Sequence, residues 1–466
     1  MDTPASIALA ATRPAIFWTD TADGPDPAPQ LRWGETADIA VIGGGLSGLW
    51  AAILATEADP GRSVVVVEAD RVGFGASSRN GGFLSASITH GLGNGRSHWP
   101  SEIDQLIRLG NENYREILAF IERHGVDVGL EETGTIHVAT EDWHLEDLTE
   151  MVGTMREHGL AGTLLDREEM QAEVASPTYL GGLVEHEGNS IVDPARMVWA
   201  LRSIAEQRGV SVFENSQVVG VERSNGAMKV RTAAGSVLAR KVLVATNAYA
   251  QPVKAMRRYI VPVYDYVLMT EPLSAERMAS VGWRARQALG DVSNQFHYYR
   301  LTADNRILWG GYDAIYRYGS PISPELDQAG TTHQTLADHF FTTFPQLEGL
   351  TFTHRWAGPI GTTSRFTATW GTAHDGDLAW VGGYTGLGVG ATRFGANVAL
   401  DLLEGLETER TDLAMVRRRP LPFPPEPIRY AGIQLTRRAL AKADDHDGRR
   451  GPWLKLLDRF GVGFDS

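Results

Sequence analysis

The sequence predicts an α/β fold in which a parallel-sheet unit is interrupted along the chain by a second, α+β unit. Three observations carry this. Residues 38–68 read as strand, glycine turn, helix and strand, a βαβ unit. Small-residue motifs of similar character recur around Ala245 and Gly386, far away in sequence. The segment between those two, 256–349, is strand-rich and reads as a different layer. One ligand site can use all three motifs only if the chain leaves the first unit and returns to it. The expected partition is an arm at 1–35, a first unit from 36–100, 190–255 and 350–410, a second unit from 101–189 and 256–349, and a tail with helices at 411–466.

The elements follow in order. The arm carries Pro4, Pro14, Pro25, Pro27 and Pro29 and little periodicity, so it reads as irregular. Residues 38–42 and 63–67 are short, β-branched apolar runs, the pattern of strands buried on both faces. Residues 46–57 between them are Ala-rich and helical in character. Helices are expected at 101–125, 146–159 and 168–175, with a strand at 135–139. Asp193-Pro194 opens another helix that runs to Gly209: Asp caps orphan N–H groups, and Pro loses nothing at the first helical position. Strands follow at 210–213 and 217–222, then a hairpin of 228–232 and 237–239, then a buried strand at 241–245. Further strands are expected at 261–270, 294–301 and 306–312, and helices at 332–344 and 391–406. Pro420, Pro422, Pro424, Pro425 and Pro427 mark an extended tail before a basic helix at 429–442.

Composition narrows the function. The 466 residues are 43% hydrophobic and 21% charged, which supports a large core. A net charge of −14 argues against a nucleic-acid surface. There is no cysteine, so disulfides, thiolate metal sites and a cysteinyl cofactor bond are excluded. The longest apolar runs fall short of a membrane span, and Met1-Asp2-Thr3-Pro4 is acidic where a signal peptide is basic. The expected location is the cytoplasm.

Gly43-Gly44-Gly45-Leu46-Ser47-Gly48 matches G-x-G-x-x-G at the turn from strand to helix. In that motif Gly43 makes the tight turn, Gly45 lets backbone approach a pyrophosphate, and Gly48 lets the helix pack on the sheet. The helix N-terminus offers free N–H groups and the positive end of its dipole to phosphate. Glu68 closes the second strand, 20 residues after Gly48 (68 − 48), where a carboxylate accepts ribose hydroxyls and repels a 2′-phosphate. The ligand is therefore a dinucleotide, FAD or NAD. Ser77, Ser78, Arg79, Asn80, Gly81 and Gly82 form a small polar segment suited to run along it, with Arg79 able to reach phosphate oxygens. Gly383 to Gly390 is a second glycine cluster, whose N–H groups can face the electron-rich end of an isoalloxazine.

On these residues the sequence resembles the D-amino-acid-oxidase-like FAD-dependent oxidoreductases, and within them the γ-glutamylputrescine oxidase group of amine oxidases. The matching stretches are 41–48, 65–82, 192–201, 242–249, 307–311 and 382–390, with Gly73 to Gly82 the most specific. The resemblance implies a Rossmann-like FAD-binding domain of the glutathione-reductase type and a discontinuous substrate domain. It implies that Glu68, with Ala69 beside it, binds the adenosine ribose, and that Val218 touches adenine through its backbone. Ser77 to Gly82 would follow the pyrophosphate and flavin, and Ala245 and Thr246 would line the cofactor. Gly386, Leu387, Gly388 and Val389 would face the ribityl chain and pyrimidine edge. The flavin is expected to be non-covalent; His90 and His98 are the nearest histidines for an alternative attachment. Relatives that react with oxygen use a lysine near the flavin, and this chain has none between Lys254 and Lys442.

The implied reaction is oxidation of a primary or secondary amine, or an amino acid, to an imine by hydride transfer to flavin N5, with O2 as acceptor giving H2O2. The expected partners are a small-molecule amine and O2 or another electron acceptor. Candidate substrate-site residues are Tyr266, Tyr298, Arg300 and Trp356. Aromatics there suit an amine against a ring face, and Arg300 suits a carboxylate; core packing is the other reading of the same residues. Two alternatives stand beside the leading one. The first is an FAD-dependent dehydrogenase of a hydroxy acid or polyol, and the second a non-catalytic FAD-binding protein.

Overall fold

The computed structural model describes residues 3–20, 24–249 and 253–463. The ends of the expected arm and tail, at 1–2 and 464–466, lie outside the described residues, as do 21–23 and 250–252.

Strand Gly34–Ile42 sits at the centre of an eight-stranded sheet. It pairs in parallel with Val64–Val67 on one side and Ser236–Val244 on the other. The sheet continues to Ser211–Phe213 at one end and to Leu378–Gly382 and Thr369–Ala373 at the other. All four residues of Val64–Val67 are buried, as expected for a strand covered on both faces. The expected hairpin strand 237–239 and buried strand 241–245 are one continuous strand. One edge of it pairs in parallel with Gly34–Ile42 throughout; on the other edge its first half pairs antiparallel with Ala227–Thr232 and its second half in parallel with Leu378–Gly382.

One face of this sheet carries helices Leu46–Ala58, Pro194–Gln207 and Gly388–Glu404 in a single core. Leu46–Ala58 is apolar nearly all round and is buried accordingly. Asp193 caps Pro194–Gln207, accepting from the N–H groups of Ala195 and Arg196. Helix Ile103–His124 packs into this core too, with Trp50 and Phe120 edge to face at 4.7 Å. That corrects the placement of residues 101–125 in the second unit: the apolar stripe of this helix matches the exposed side of the first helix layer.

The second sheet has nine strands and is mostly antiparallel. Its central feature is Val261–Thr270, which pairs along its length with Phe352–Thr362 on one side and with Ile307–Gly311 and Ile315–Tyr316 on the other. His297–Leu301, Ala288–Asp291, Thr135–Ala139, Gly181–Glu185 and Thr163–Leu165 follow outward. Strand Phe352–Thr362 therefore belongs to this sheet, although 350–410 was expected wholly in the first unit. The arm is not wholly irregular: helix Pro4–Leu9 buries Ala5 and Ala8 in the second core. Strands Phe83–Ser85 and Asn189–Ile191 form a separate two-stranded ribbon.

Gly48 fixes how the first helix meets the first strand. A Cβ there would lie 1.9 Å from the carbonyl oxygen of Gly43. Backbone cannot yield as a flexible side chain can, so Gly48→Ala is expected to cost at least about 2 kcal/mol of stability. Denaturant unfolding of the purified variant, with flavin content measured alongside, checks this; wild-type stability would contradict the packing described.

Candidate active site

A cavity of about 1010 Å³ is lined by both sheets and by the tail. Its inner end is the glycine turn. Gly43 has φ +108, and a Cβ on it would come within 2.8 Å of the carbonyl oxygen of Ala245. A Cβ on Gly45 would come within 2.7 Å of Ser77 Oγ, and that oxygen accepts the Leu46 N–H at 3.0 Å. The Ser47 hydroxyl donates to Tyr384 Oη at 2.8 Å, and the Gly383 N–H donates to Asn247 Oδ1 at 2.8 Å. The motifs at Gly43, Ala245 and Gly386 thus converge, through contacts between residues more than a hundred positions apart.

Glu68 lies at the end of Val64–Val67. Its Oε2 accepts the Gly44 N–H at 2.7 Å and its Oε1 the Asp70 N–H at 3.0 Å. Burial pushes its pKa up, and these N–H groups pull it back toward the charged form. Ala69 beside it is exposed. The Ser216 N–H donates to the Glu68 carbonyl at 2.8 Å, which brings the start of strand Val218–Ser224 alongside. Val218 itself is buried at that strand's first position.

The polar segment departs from expectation at Arg79. Its guanidinium turns away from the glycine loop, bonding the carbonyls of Phe74 and Ala357 at 2.9 and 2.7 Å and the carboxylate of Asp327. It ties its own loop to strand Phe352–Thr362 while still lining the cavity. Asn80 folds back on its own loop, donating to Ala76 and Ser77 carbonyls and accepting the Gly82 N–H. A Cβ on Gly81 would strike the Phe83 ring at 2.5 Å, and one on Gly82 the Val192 carbonyl at 2.1 Å.

Three of the four substrate-site candidates are also redirected. Arg300 is 3% exposed, and its Nη1 donates to the carbonyls of Val192, Gly81 and Gly82 at 2.7, 3.3 and 3.4 Å. Burial lowers its pKa to about 10. It splints the loop at 81–82 to the second sheet. Trp356 is buried, donating its indole N–H to the Arg79 carbonyl at 2.8 Å. Tyr266 is buried in the second core and donates to the Leu326 carbonyl at 3.0 Å. Only Tyr298 lines the cavity. Its ring packs edge to face on Phe83 at 5.5 Å, and its hydroxyl donates to Asp265.

Asp265 was missed. On Val261–Thr270 the cavity is lined by Val261, Val263, Tyr264, Asp265 and Val267, while Tyr266 and Leu268 lie in the core behind. Period-2 alternation of the run V-P-V-Y-D-Y-V was the available signal. The pair His137 Nε2 and Glu185 Oε1, 2.8 Å apart on adjacent strands, was also missed. So was the outer wall, where the tail contributes Phe423, Ile433 and Trp453 among others. Of the histidines considered for attachment, His98 has both ring nitrogens on carbonyls, those of Asn94 and Gly461. His90 lines the cavity with Nε2 on the Thr385 carbonyl at 2.8 Å.

The residues present fit a bound flavin dinucleotide. The lining at this end, Gly45, Leu46, Ser47, Ala76, Ser77 and Ala245, is small and offers backbone and hydroxyl groups to a polar ligand. Two helix N-termini, at Leu46 and Gly388, line the cavity, and Gly386 turns into the second with φ +95. Leu387 caps that helix, and Val389 lies in its first turn. The fold and this cradle define an FAD-dependent oxidoreductase. Residues 38–402 match the family model described as DAO, FAD dependent oxidoreductase, and the chain belongs to that family. It is 32% identical to gamma-glutamylputrescine oxidoreductase of Escherichia coli (strain K12), over 88% of this chain and 92% of that protein. It is 29% identical to a probable oxidoreductase, OrdL, of Haemophilus influenzae, over 84% and 88% of the two chains. The fold also matches the crystal structure of glycine oxidase from Geobacillus kaustophilus at TM-score 0.68 and 21% identity, covering 82% of this chain and 99% of that one.

Two expectations separate cofactor-binding from splinting residues. Glu68→Ala removes a charge-assisted acceptor worth about 1.5–3 kcal/mol, so FAD affinity should fall roughly 10- to 100-fold. Equilibrium dialysis against FAD reads this, and unchanged retention would remove Glu68 from the ribose. Arg300→Ala instead takes out a buried cation bonded to three carbonyls, and should cost about 2–4 kcal/mol of stability. If Arg300→Ala folds normally and loses only affinity for carboxylated substrates, the splint assignment is wrong.

Proposed function

We propose that this protein oxidises a primary or secondary amine at the carbon bonded to nitrogen, giving an imine that water hydrolyses. The observation that carries this reading is the match to gamma-glutamylputrescine oxidoreductase across nearly the full length of both chains. When bound, FAD supplies the acceptor for a hydride from that carbon.

The chain's own residues bind, orient and exclude water. Gly43, Gly45, Leu46, Ser47 and Gly48 would hold the pyrophosphate, with Ser77 and Ser78 beside them. Glu68, Ala69 and Val218 would take the adenosine, and Ala245 and Thr246 the middle of the cofactor. Gly386, Leu387, Gly388 and Val389 would present the positive end of a 17-residue helix to its electron-rich edge. Asn80, Gly81 and Gly82 would pass under the flavin, where absent side chains leave room. Val263, Val267, Tyr298 and Phe83 form an apolar wall that keeps the reacting carbon dry. An α-carboxylate on the substrate is not required, because the guanidinium of Arg300 is spent on backbone carbonyls.

The acceptor we assign is O2, reduced to H2O2, in keeping with the relative named glycine oxidase, 27% identical over 308 residues. No lysine among the described residues lines the cavity, so oxygen activation would have to rely on the helix dipole and arginines.

An anaerobic panel of amines, amino acids and hydroxy acids tests the reading by the loss of flavin absorbance. Amines without an α-carboxylate are expected to bleach the flavin. On admitting air, peroxide should appear in step with the return of colour. Bleaching by hydroxy acids alone would overturn the amine assignment. Amine-reduced enzyme that stays reduced in air would move the electrons to another acceptor.

A further inference from the structure

We propose that Asp265 is the anchor for the substrate's cationic nitrogen: an ammonium-binding subsite in the cavity wall, held in place by the Tyr298 hydroxyl. The inference rests on the amine reading above and names the group that would recognise it.

Geometry is the first argument. Strand Val261–Thr270 presents Val261, Val263, Tyr264, Asp265 and Val267 to the cavity, and Asp265 is the one carboxylate among them. Its neighbour Tyr298 comes from His297–Leu301, two strands away, with Ile307–Gly311 between them. Tyr298 is opposite Gly310 in register, and a Cβ on Gly310 would lie 2.6 Å from the Tyr298 ring. The missing side chain lets the ring lie across the intervening strand and deliver its hydroxyl to Asp265 Oδ2. The other side of the ring faces the loop at Gly81, at 3.1 Å from the position of a Cβ there. The carboxylate is thus on the second sheet, with its tyrosine leading back to the proposed flavin loop.

Charge is the second argument. Three carboxylates line the inner wall of the second sheet: Glu185, Asp291 and Asp265. Two have a histidine, Glu185 with His137 at 2.8 Å and Asp291 with His297 at 3.0 Å. Asp265 has none: among the described residues no Arg, Lys or His forms an ion pair with it. Strand Ile307–Gly311 offers it Gly310 and Gly311, and strand Phe352–Thr362 offers Gly358, its partner in register. Arg79, whose stem lies against Gly358, is committed to Asp327. A carboxylate in an apolar wall without a cation is costly, and a protonated amine is the ligand that relieves the cost. Its pKa reflects this. Burial raises it to about 6, against the opposing pull of the Tyr298 hydroxyl and the N–H groups of Tyr266 and Gly311.

The sign for pH follows. Asp265 is a carboxylate above about pH 6 and neutral below, so it attracts ammonium above that value and loses the attraction as pH falls through it. The Tyr298 hydroxyl stabilises the charged form, so removing it should move the midpoint up.

The test uses the flavin-loaded enzyme and whichever amine bleaches it in the panel. It measures the saturation constant for anaerobic reduction as a function of pH. It also measures the inhibition constant of tert-butylammonium, which has no hydrogen on the carbon bonded to nitrogen and cannot be oxidised. Flavin content and melting temperature are followed in each variant. Wild type should weaken toward both ligands as pH drops through about 6. Asp265→Asn should weaken binding about 30-fold or more at neutral pH and flatten the profile, with flavin content unchanged. Tyr298→Phe should keep the profile and shift its midpoint to higher pH. Wild-type affinity and an unaltered profile in Asp265→Asn, or an unmoved midpoint in Tyr298→Phe, would overturn the subsite while leaving amine oxidation standing. Failure of every amine to bleach wild type would instead overturn the function on which it rests.

Discussion

The contact on which the rest depends is between two backbones. Strand Gly34–Ile42 ends at Gly43, whose carbonyl lies against Gly48 of the following helix, while its Cα lies against the carbonyl of Ala245. Neither approach tolerates a side chain. Together they aim the helix N-terminus at the cavity and bring the end of strand Ser236–Val244 beside it. Asn247 then bonds Gly383 and Tyr384 bonds Ser47, so a third, later segment is drawn to the same place. A dinucleotide cradle assembled from three distant pieces is a consequence of those close approaches and not of any one motif.

This explains which parts were legible in the sequence. The βαβ unit, its glycines and Glu68 are local: each requirement is met within about thirty residues, and period and spacing report it. The long helices were legible for the same reason, as with Asp193 capping Pro194–Gln207. Strand Phe352–Thr362 was not, because its run F-T-H-R-W-A-G-P-I-G-T has no clean alternation and is defined by pairing with Val261–Thr270. Helix Ile103–His124 was legible as a helix but not in its position, since an apolar stripe does not say which core will cover it.

The substrate side failed in a more instructive way. Tyr266 drew attention as an aromatic, and Asp265 beside it did not. Successive strand residues point to opposite faces, so one assignment of parity separates Asp265 from Tyr266. Tyr266 went to the core and the carboxylate to the cavity, which Tyr264 lines as well. Arg300 and Arg79 read as ligands for anions because they are cations near a cofactor motif. In the structure both are satisfied by backbone carbonyls at the junction of the two sheets, Arg79 also by Asp327. Composition cannot distinguish a guanidinium that holds a ligand from one that holds two layers together.

The cavity that results is electrostatically divided. Its inner end is positive by construction, with two helix N-termini and the N–H groups around Gly386, and suits an anionic dinucleotide. The wall of the second sheet is negative, with two of its three carboxylates paired to histidines. The outer wall comes from residues beyond 402, where the family match stops. That tail is fastened to the second sheet's loops by Asp444, which accepts from Asn294 and Gln295 at 2.7–3.0 Å, and by Glu426, which holds Tyr316 and the Gly319 N–H. It is also tied to the first unit, where the Ser364 hydroxyl donates to Leu421 and the Gly463 N–H to Ser364. Because its anchors lie on both units, the tail sets the depth of the cavity without contributing to the cradle at its base. The base of the cavity and its outer wall are therefore written in separate stretches of the chain, the first held by backbone contacts that admit no side chain.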